Sequence, residues 1–142
     1  MRIIGVGIDI VEIGRIRDLY QRYPGRFVER VYTPEERARI ASLKDPGPYL
    51  AGRWAVKEAV LKALGTGLTG GITWKDINVV REPTGAPTVR LLGAALDRAQ
   101  ALGIANIIVS ITHGKDLAAA QALATGADGA SASGRRTSET GA

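Results

Sequence analysis

The chain has 142 residues, 45% of them hydrophobic and 5% aromatic, with a formal net charge of +5. One domain is expected at this length, with a core of Ile, Val, Leu and Ala rather than of rings. The absence of cysteine excludes disulfides and thiolate metal sites. No apolar run approaches the roughly 20 residues of a membrane span. The chain opens on a strand-like run without a signal-peptide pattern, so a soluble cytoplasmic protein is expected. The basic balance suits an anionic partner: a nucleic acid, a phosphorylated metabolite or an acidic protein. Arg15, Arg17, Arg22, Arg26 and Arg30 crowd the first segment, followed by Arg37 and Arg39. The plain reading of that crowding is a solvated basic face.

Residues 2–11 read as a buried strand with Asp9 near its end. Residues 12–22 carry Ile13, Ile16, Leu19 and Tyr20 at helical spacing, and Pro24-Gly25 is expected to break that helix. A short helix is expected over 26–31. Thr33-Pro34-Glu35-Glu36 is a helix start, with Thr33 as cap, Pro34 in the first turn and Glu36 closing a capping box. That helix should run to about residue 43. Asp45-Pro46-Gly47-Pro48 is a turn that opens a long helix over about 49–64, stopped by Gly65. Residues 65–71 form a glycine-rich loop.

Residues 77–81 and 88–92 read as paired strands around the turn Pro83-Thr84-Gly85-Ala86-Pro87. A short helix over 94–102 ends at Gly103. Residues 106–113 form a strand with Val109, Ile111 and His113 on one face and Ile108, Ser110 and Thr112 on the other. A last strand of small residues covers 117–124. From Thr125 the composition turns to Gly, Ala, Ser and Thr, which cannot bury enough apolar surface to order itself. There are no internal repeats.

Three places could carry chemistry. Asp9 is a carboxylate ending an apolar strand, costly to bury unless paired or metal-bound. The alternative is that it caps the helix starting near Glu12. Glu12 itself should face away from Asp9. Glu58 and Lys62 lie four apart and share a helix face, where they could hold a metal and the phosphate it neutralises. Alone they read as a surface pair worth about 0.3–0.5 kcal/mol. Lys57 and Arg53 are expected to broaden the basic surface around them. His113, the single histidine, is either structural or a phosphate-holding donor. The loop 65–71 could turn backbone N–H groups to a phosphate, though it matches no Walker or dinucleotide fingerprint.

Gly5-Val6-Gly7-Ile8-Asp9-Ile10, the run from Ala51 to Ala59 with Lys62 and Gly65-Thr66-Gly67, Gly85-Ala86-Pro87 and Ser110-Ile111-Thr112-His113 occur in this order. Together they resemble the holo-(acyl-carrier-protein) synthases, the short bacterial class of 4′-phosphopantetheinyl transferases. The resemblance runs from Ile3 to about Ala124. It implies an α+β fold, a mostly antiparallel sheet packed against one long helix and shorter helices. A transferase domain would cover 1–124 and a low-complexity tail 125–142.

The implied reaction moves the phosphopantetheine arm of coenzyme A to a serine of apo acyl carrier protein and releases 3′,5′-ADP. Asp9 and Glu58 match the family's ligands for Mg2+, which would offset the pyrophosphate charge. Lys62 would neutralise the leaving group, and Glu58 is the candidate base, directly or through a water. Lys62, Gly65, Thr66, Gly67, Gly85, Pro87, His113 and Arg53 would line the coenzyme site. Arg15, Arg22, Arg26, Arg30 and Phe27, with Leu19, would contact the carrier, and Arg15 carries over most directly. The resemblance also implies a homotrimer with sites between subunits, where His113 and the turn come from the neighbour of the subunit supplying Asp9, Glu58 and Lys62. Val11 stands where double-length transferases carry a third acidic residue, as in the short class.

Two other readings share some of these features. A nucleotide- or RNA-binding module would use the basic face, but Phe27 is the single phenylalanine and no paired aromatic platform is visible in the sequence. An Mg2+-dependent phosphohydrolase would use the same carboxylates and need no carrier surface. Neither nucleic acid nor membrane is expected as a partner.

Overall fold

The computed structural model describes residues 1–127. The elements in chain order are β1 (Arg2–Glu12), α1 (Ile13–Arg22), α2 (Pro24–Val31), α3 (Pro34–Ala41) and α4 (Gly47–Leu64), then a 3-10 turn at Trp74–Asp76, followed by β2 (Ile77–Arg81), β3 (Pro87–Leu91), α5 (Gly93–Ala101), β4 (Asn106–His113) and β5 (Leu117–Gly126). β1, β5 and β4 make one antiparallel sheet with β5 in the centre, and β2 pairs with β3 as a separate hairpin. This is the α+β architecture expected.

Local signals account for the helix ends. Thr33 Oγ1 accepts from the Glu36 N–H at 3.3 Å and Glu36 Oε1 accepts from the Thr33 N–H at 2.8 Å, closing the capping box. Gly65, at φ 77°, stops α4 in the left-handed conformation that glycine adopts without steric cost. Pro24 differs from expectation: it does not simply end α1 but sits in the first turn of α2, where its missing N–H costs nothing.

Helix α4 crosses the sheet. Ala55, Ala59 and Ala63 of α4 are buried in one apolar cluster with Ala120, Ala122 and Ala124 of β5. Small residues on both sides let helix and sheet approach closely. The approach is closest at β1, where a methyl on Gly7 would overlap the Ala59 carbonyl and one on Gly5 the Ala63 carbonyl. The strand alternates, so Gly5, Gly7 and Asp9 face the helix. Val6, Ile8 and Ile10 face away and are 58%, 66% and 66% exposed. The expectation of a strand buried on both faces is therefore corrected. A continuous apolar run does not say which face is covered, and here it is the side with the smallest residues.

Gly7→Ala should destabilise the fold by about 1–3 kcal/mol, the usual cost of overpacking. Gly14→Ala in α1, where a Cβ meets nothing within 4 Å, should be neutral or stabilising by up to about 1 kcal/mol. Urea midpoints of the two variants check both.

The last strand runs two residues beyond the expected end. Thr125 is 3% exposed and pairs with Ile3 and Asn106, and Gly126 pairs with Arg2. Thr-Gly reads as tail by composition, but two neighbouring strands supply partners for its backbone. The tail reading otherwise concerns 128–142, which lie outside the described residues.

A second apolar cluster joins α1, α2, α3 and the start of α4 through Ile13, Ile16, Val31, Tyr32, Ile40 and Leu50. Phe27 belongs to it, meeting Tyr32 edge-on at 5.6 Å and lying 6.0 Å from Trp54. Trp54 in turn stacks on Trp74 at 4.6 Å. The fold thus creates an aromatic pair that the sequence did not reveal. Its rings pack against the cluster and bind α2, α4 and the 3-10 turn to one another.

Candidate active site

Asp9, Glu58 and Lys62 come together. The close approach of β1 to α4 sets the Asp9 carboxylate beside the last two turns of the helix. Lys62 Nζ donates to the Ile8 carbonyl at 2.8 Å and to Asp9 Oδ1 at 3.3 Å. Asp9 is not the cap of α1: the N-cap is Glu12, without a side-chain capping bond. Burial, and then the charge of Asp9, push the Glu58 carboxyl up from its ordinary range, while Lys62 acts in the opposite direction. The Glu58 carboxyl, made costlier to ionise by burial and by the neighbouring Asp9 and set beside an ammonium, belongs to a group that a divalent cation would relieve.

The donor set fits Mg2+. Among the described residues no group of three or more His, Cys, Asp or Glu side chains could hold a metal. Two hard carboxylates with room for water and phosphate oxygen are what Mg2+ takes at phosphoryl-transfer sites.

A second cluster lies across α4. A cavity of about 380 Å³ is lined by Arg53, Gly85, Pro87 and His113, together with Arg39 and Arg81. Four of the residues expected at the coenzyme site thus share one wall-and-floor arrangement. Arg81 pairs with Pro87 at the root of the β2–β3 turn, and Arg39 arrives from the end of α3. Reading along the sequence did not assign either arginine to this site: Arg39 lies far from the others in the chain, and Arg81, though only four residues before Gly85, carries no local sign that it turns toward the cavity. Arg53 stacks its guanidinium 4.4 Å from the Tyr49 ring centre and keeps a buried Nε without a hydrogen-bond partner. Several guanidiniums around a hollow, one with an unused donor, suit a phosphorylated ligand.

The two clusters occupy opposite flanks of the helix. Ala59 and Ala63 lie over β1, whereas a Cβ on Gly52 would stand 3.3 Å from Ile111 Cγ2 of β4. Gly65, Thr66 and Gly67 follow the C-terminal end of α4 and do not line the cavity with Arg53 and His113. A single chain therefore presents two separate clusters.

The early arginines divide among three places. Arg15 and Arg22 line one groove with Leu19, and Arg26, Phe27 and Arg30 line an adjoining one that shares Leu19. Phe27 is 9% exposed, so it shows the groove little more than an edge. Arg17 instead pairs with Asp45 at 3.0 Å, beside the start of α4.

Lys57 overturns an expectation. It does not broaden the basic surface. It is wholly buried, and its Nζ lies 2.8 Å from Glu36 Oε1. It also donates to the carbonyls of Trp74 and Ile77. Glu36 Oε2 accepts from the Val79 N–H at 2.7 Å. Helix periodicity alone gave no sign of this, since the partner comes from α3.

Known proteins resemble this chain in sequence and in fold. Residues 5–122 match the model of the 4′-phosphopantetheinyl transferase superfamily. A holo-[acyl-carrier-protein] synthase of Natranaerobius thermophilus is 43% identical over 85% of this chain and 96% of its own length. The crystal structure of the holo-ACP-synthase of Plasmodium yoelii superposes with a TM-score of 0.80 at 33% identity, covering 89% of this chain and 98% of that one. The Helicobacter pylori synthase in complex with coenzyme A gives a TM-score of 0.75 at 32% identity, covering 84% and 99%. The chain belongs to the 4′-phosphopantetheinyl transferase superfamily. Within it, the chain is an enzyme of the holo-(acyl-carrier-protein) synthase class.

Proposed function

We propose that this protein transfers 4′-phosphopantetheine from coenzyme A to a serine of apo acyl carrier protein, with Mg2+, releasing 3′,5′-ADP. The observation that carries the reading is the meeting of Asp9, Glu58 and Lys62 at the closest approach of β1 and α4. The serine oxygen attacks the phosphorus that bears the pantetheine arm. A new P–O bond forms as the bond to the adenosine phosphate breaks. Glu58 takes the serine proton, directly or through a water. Lys62 faces the negative charge that grows on the departing phosphate. Asp9 and Glu58 would hold Mg2+, which when bound offsets the pyrophosphate charge. Arg53 and His113 hold the nucleotide phosphates, and the turn at Gly85 and Pro87 forms the wall beside them. Gly65, Thr66 and Gly67 line the side nearer the reacting phosphate.

The two half-sites lie on opposite flanks of α4, so the complete site forms between subunits, in a homotrimer. The outer sheet face supports this. Val6 of β1, Leu123 of β5 and Ile108 of β4 are aligned in register. Ile8, Ile10 and Ile108 are more than half exposed. An apolar face of that extent belongs at an interface. Arg15, Arg22, Arg26 and Arg30 would meet the acidic carrier. The setting we infer is cytoplasmic fatty acid or polyketide synthesis, and no described helix is long and apolar enough to cross a membrane.

Mass spectrometry of apo carrier protein incubated with the enzyme, coenzyme A and Mg2+ tests the reading. The carrier serine should gain one phosphopantetheine, and chelator should abolish the gain. No gain with several carriers, while coenzyme A still binds, would sink the proposal and bring the phosphohydrolase forward.

A further inference from the structure

The groove that holds Arg26 and Arg30 has a second wall from a distant part of the chain. It measures about 630 Å³, and Lys75 lines it opposite α2, with Leu19, Tyr23 and Phe27 between. Arg26 and Arg30 are four apart and share one face of α2. The groove thus has an apolar floor and cations on both sides, against one acidic residue, Glu29.

Lys75 is exposed, but its backbone is held on both sides. The Trp74 ring is stacked on Trp54, and the Trp74 carbonyl accepts from buried Lys57 at 3.2 Å. On the other side Asp76 accepts from Thr73 Oγ1 at 3.0 Å and from the Ala95 N–H at 3.2 Å. Among the described residues no carboxylate pairs with the Lys75 ammonium. A free cation on a rigid turn, facing two more across an apolar floor, is a recognition element rather than a piece of the fold.

We propose that Lys75 is a specificity-determining residue for the carrier, meeting a carboxylate of the acidic partner that the docking reading above sets against Arg26 and Arg30. That partner would place apolar side chains on Leu19 and Tyr23 and its carboxylates against Arg26, Arg30 and Lys75. The inference rests on the carrier-docking reading above, and adds to it a contact on the far side of the groove from α1 and α2. Charges at the rim of such a surface act mainly on the rate of encounter and on its salt dependence.

The test is steady-state kinetics of Lys75→Glu, Lys75→Arg and Arg26→Glu with apo carrier at several salt concentrations. Lys75→Glu should raise the carrier KM about tenfold at low salt and leave the coenzyme A KM and the melting temperature unchanged. Lys75→Arg should stay near the parent enzyme. The gap between parent and Lys75→Glu should narrow as salt is added, because exposed charges are screened. If Lys75→Glu leaves the carrier KM within twofold while Arg26→Glu raises it, Lys75 is outside the footprint and the inference falls alone. If Arg26→Glu also leaves it unchanged, the docking reading falls and takes the inference with it.

Discussion

Glu58→Gln should lower the rate of phosphopantetheine transfer by about a hundredfold to ten-thousandfold, the range expected for loss of a general base. Loss of an oxygen that would hold the proposed Mg2+ acts in the same direction. The amide keeps the size of the side chain, so the fold and the second half-site, with Arg53 and His113, should keep their coenzyme A binding. Turnover measured alongside coenzyme A affinity separates the two. The same variant also tests where the half-sites meet. In one chain Glu58 lies on the β1 flank of α4 and His113 on β4, across the helix. Subunits carrying Glu58→Gln, unfolded and refolded with an equal amount of subunits carrying His113→Ala, should regain activity that neither has alone. Random assortment in a trimer leaves about a quarter of the sites intact. Without recovery in verified mixed trimers, the shared-site reading fails.

Lys57→Met should be the most destabilising single change in the chain. Its ammonium and the Glu36 carboxylate are both without exposed surface and 2.8 Å apart. Burial pulls the Lys57 ammonium below its ordinary range, and Glu36 is what holds its charge in place. Removing one partner of such a pair costs about 3–5 kcal/mol, because the other charge is left buried. For a chain of this size that lowers the melting temperature by about 10 °C or more. The double variant Lys57→Met/Glu36→Gln should recover much of the loss. It removes both charges and leaves a glutamine, which can still close the capping box with Thr33. Thermal melts of the single and double variants decide it. A single variant as stable as the parent would show that the pair contributes little.

The pair also explains why Lys57 and Glu58, adjacent in sequence, have such different roles. One step along a helix turns the side chain by about 100°. Glu58 therefore points to Asp9 of β1, while Lys57 points under the 3-10 turn and β2. Sequence reading placed both on a charged surface, since a helix that is apolar nearly all round offers no polar face against which to sort them.

What the sequence by itself determined is whatever depends on residues within a turn of one another. The capping box at Thr33 and Glu36, the stop of α4 at Gly65 and the hairpin around Gly85 were legible because caps and turns are local hydrogen-bonding problems. The grouping of Glu58 with Lys62 was legible from their spacing, and family likeness joined Asp9 to them. Tertiary structure decided the rest. It paired Lys62 with Asp9 and Lys57 with Glu36, and it brought Arg39 and Arg81 to the cavity of His113. It also carried Lys75 to the groove of α2 and left the isoleucines of β1 outward. Each of these depends on which distant segment approaches. For β1 and α4, the pair that carries Asp9, Glu58 and Lys62, the approach is set by a volume that no local pattern encodes: the missing side chains of Gly5 and Gly7, into which the backbone of α4 settles.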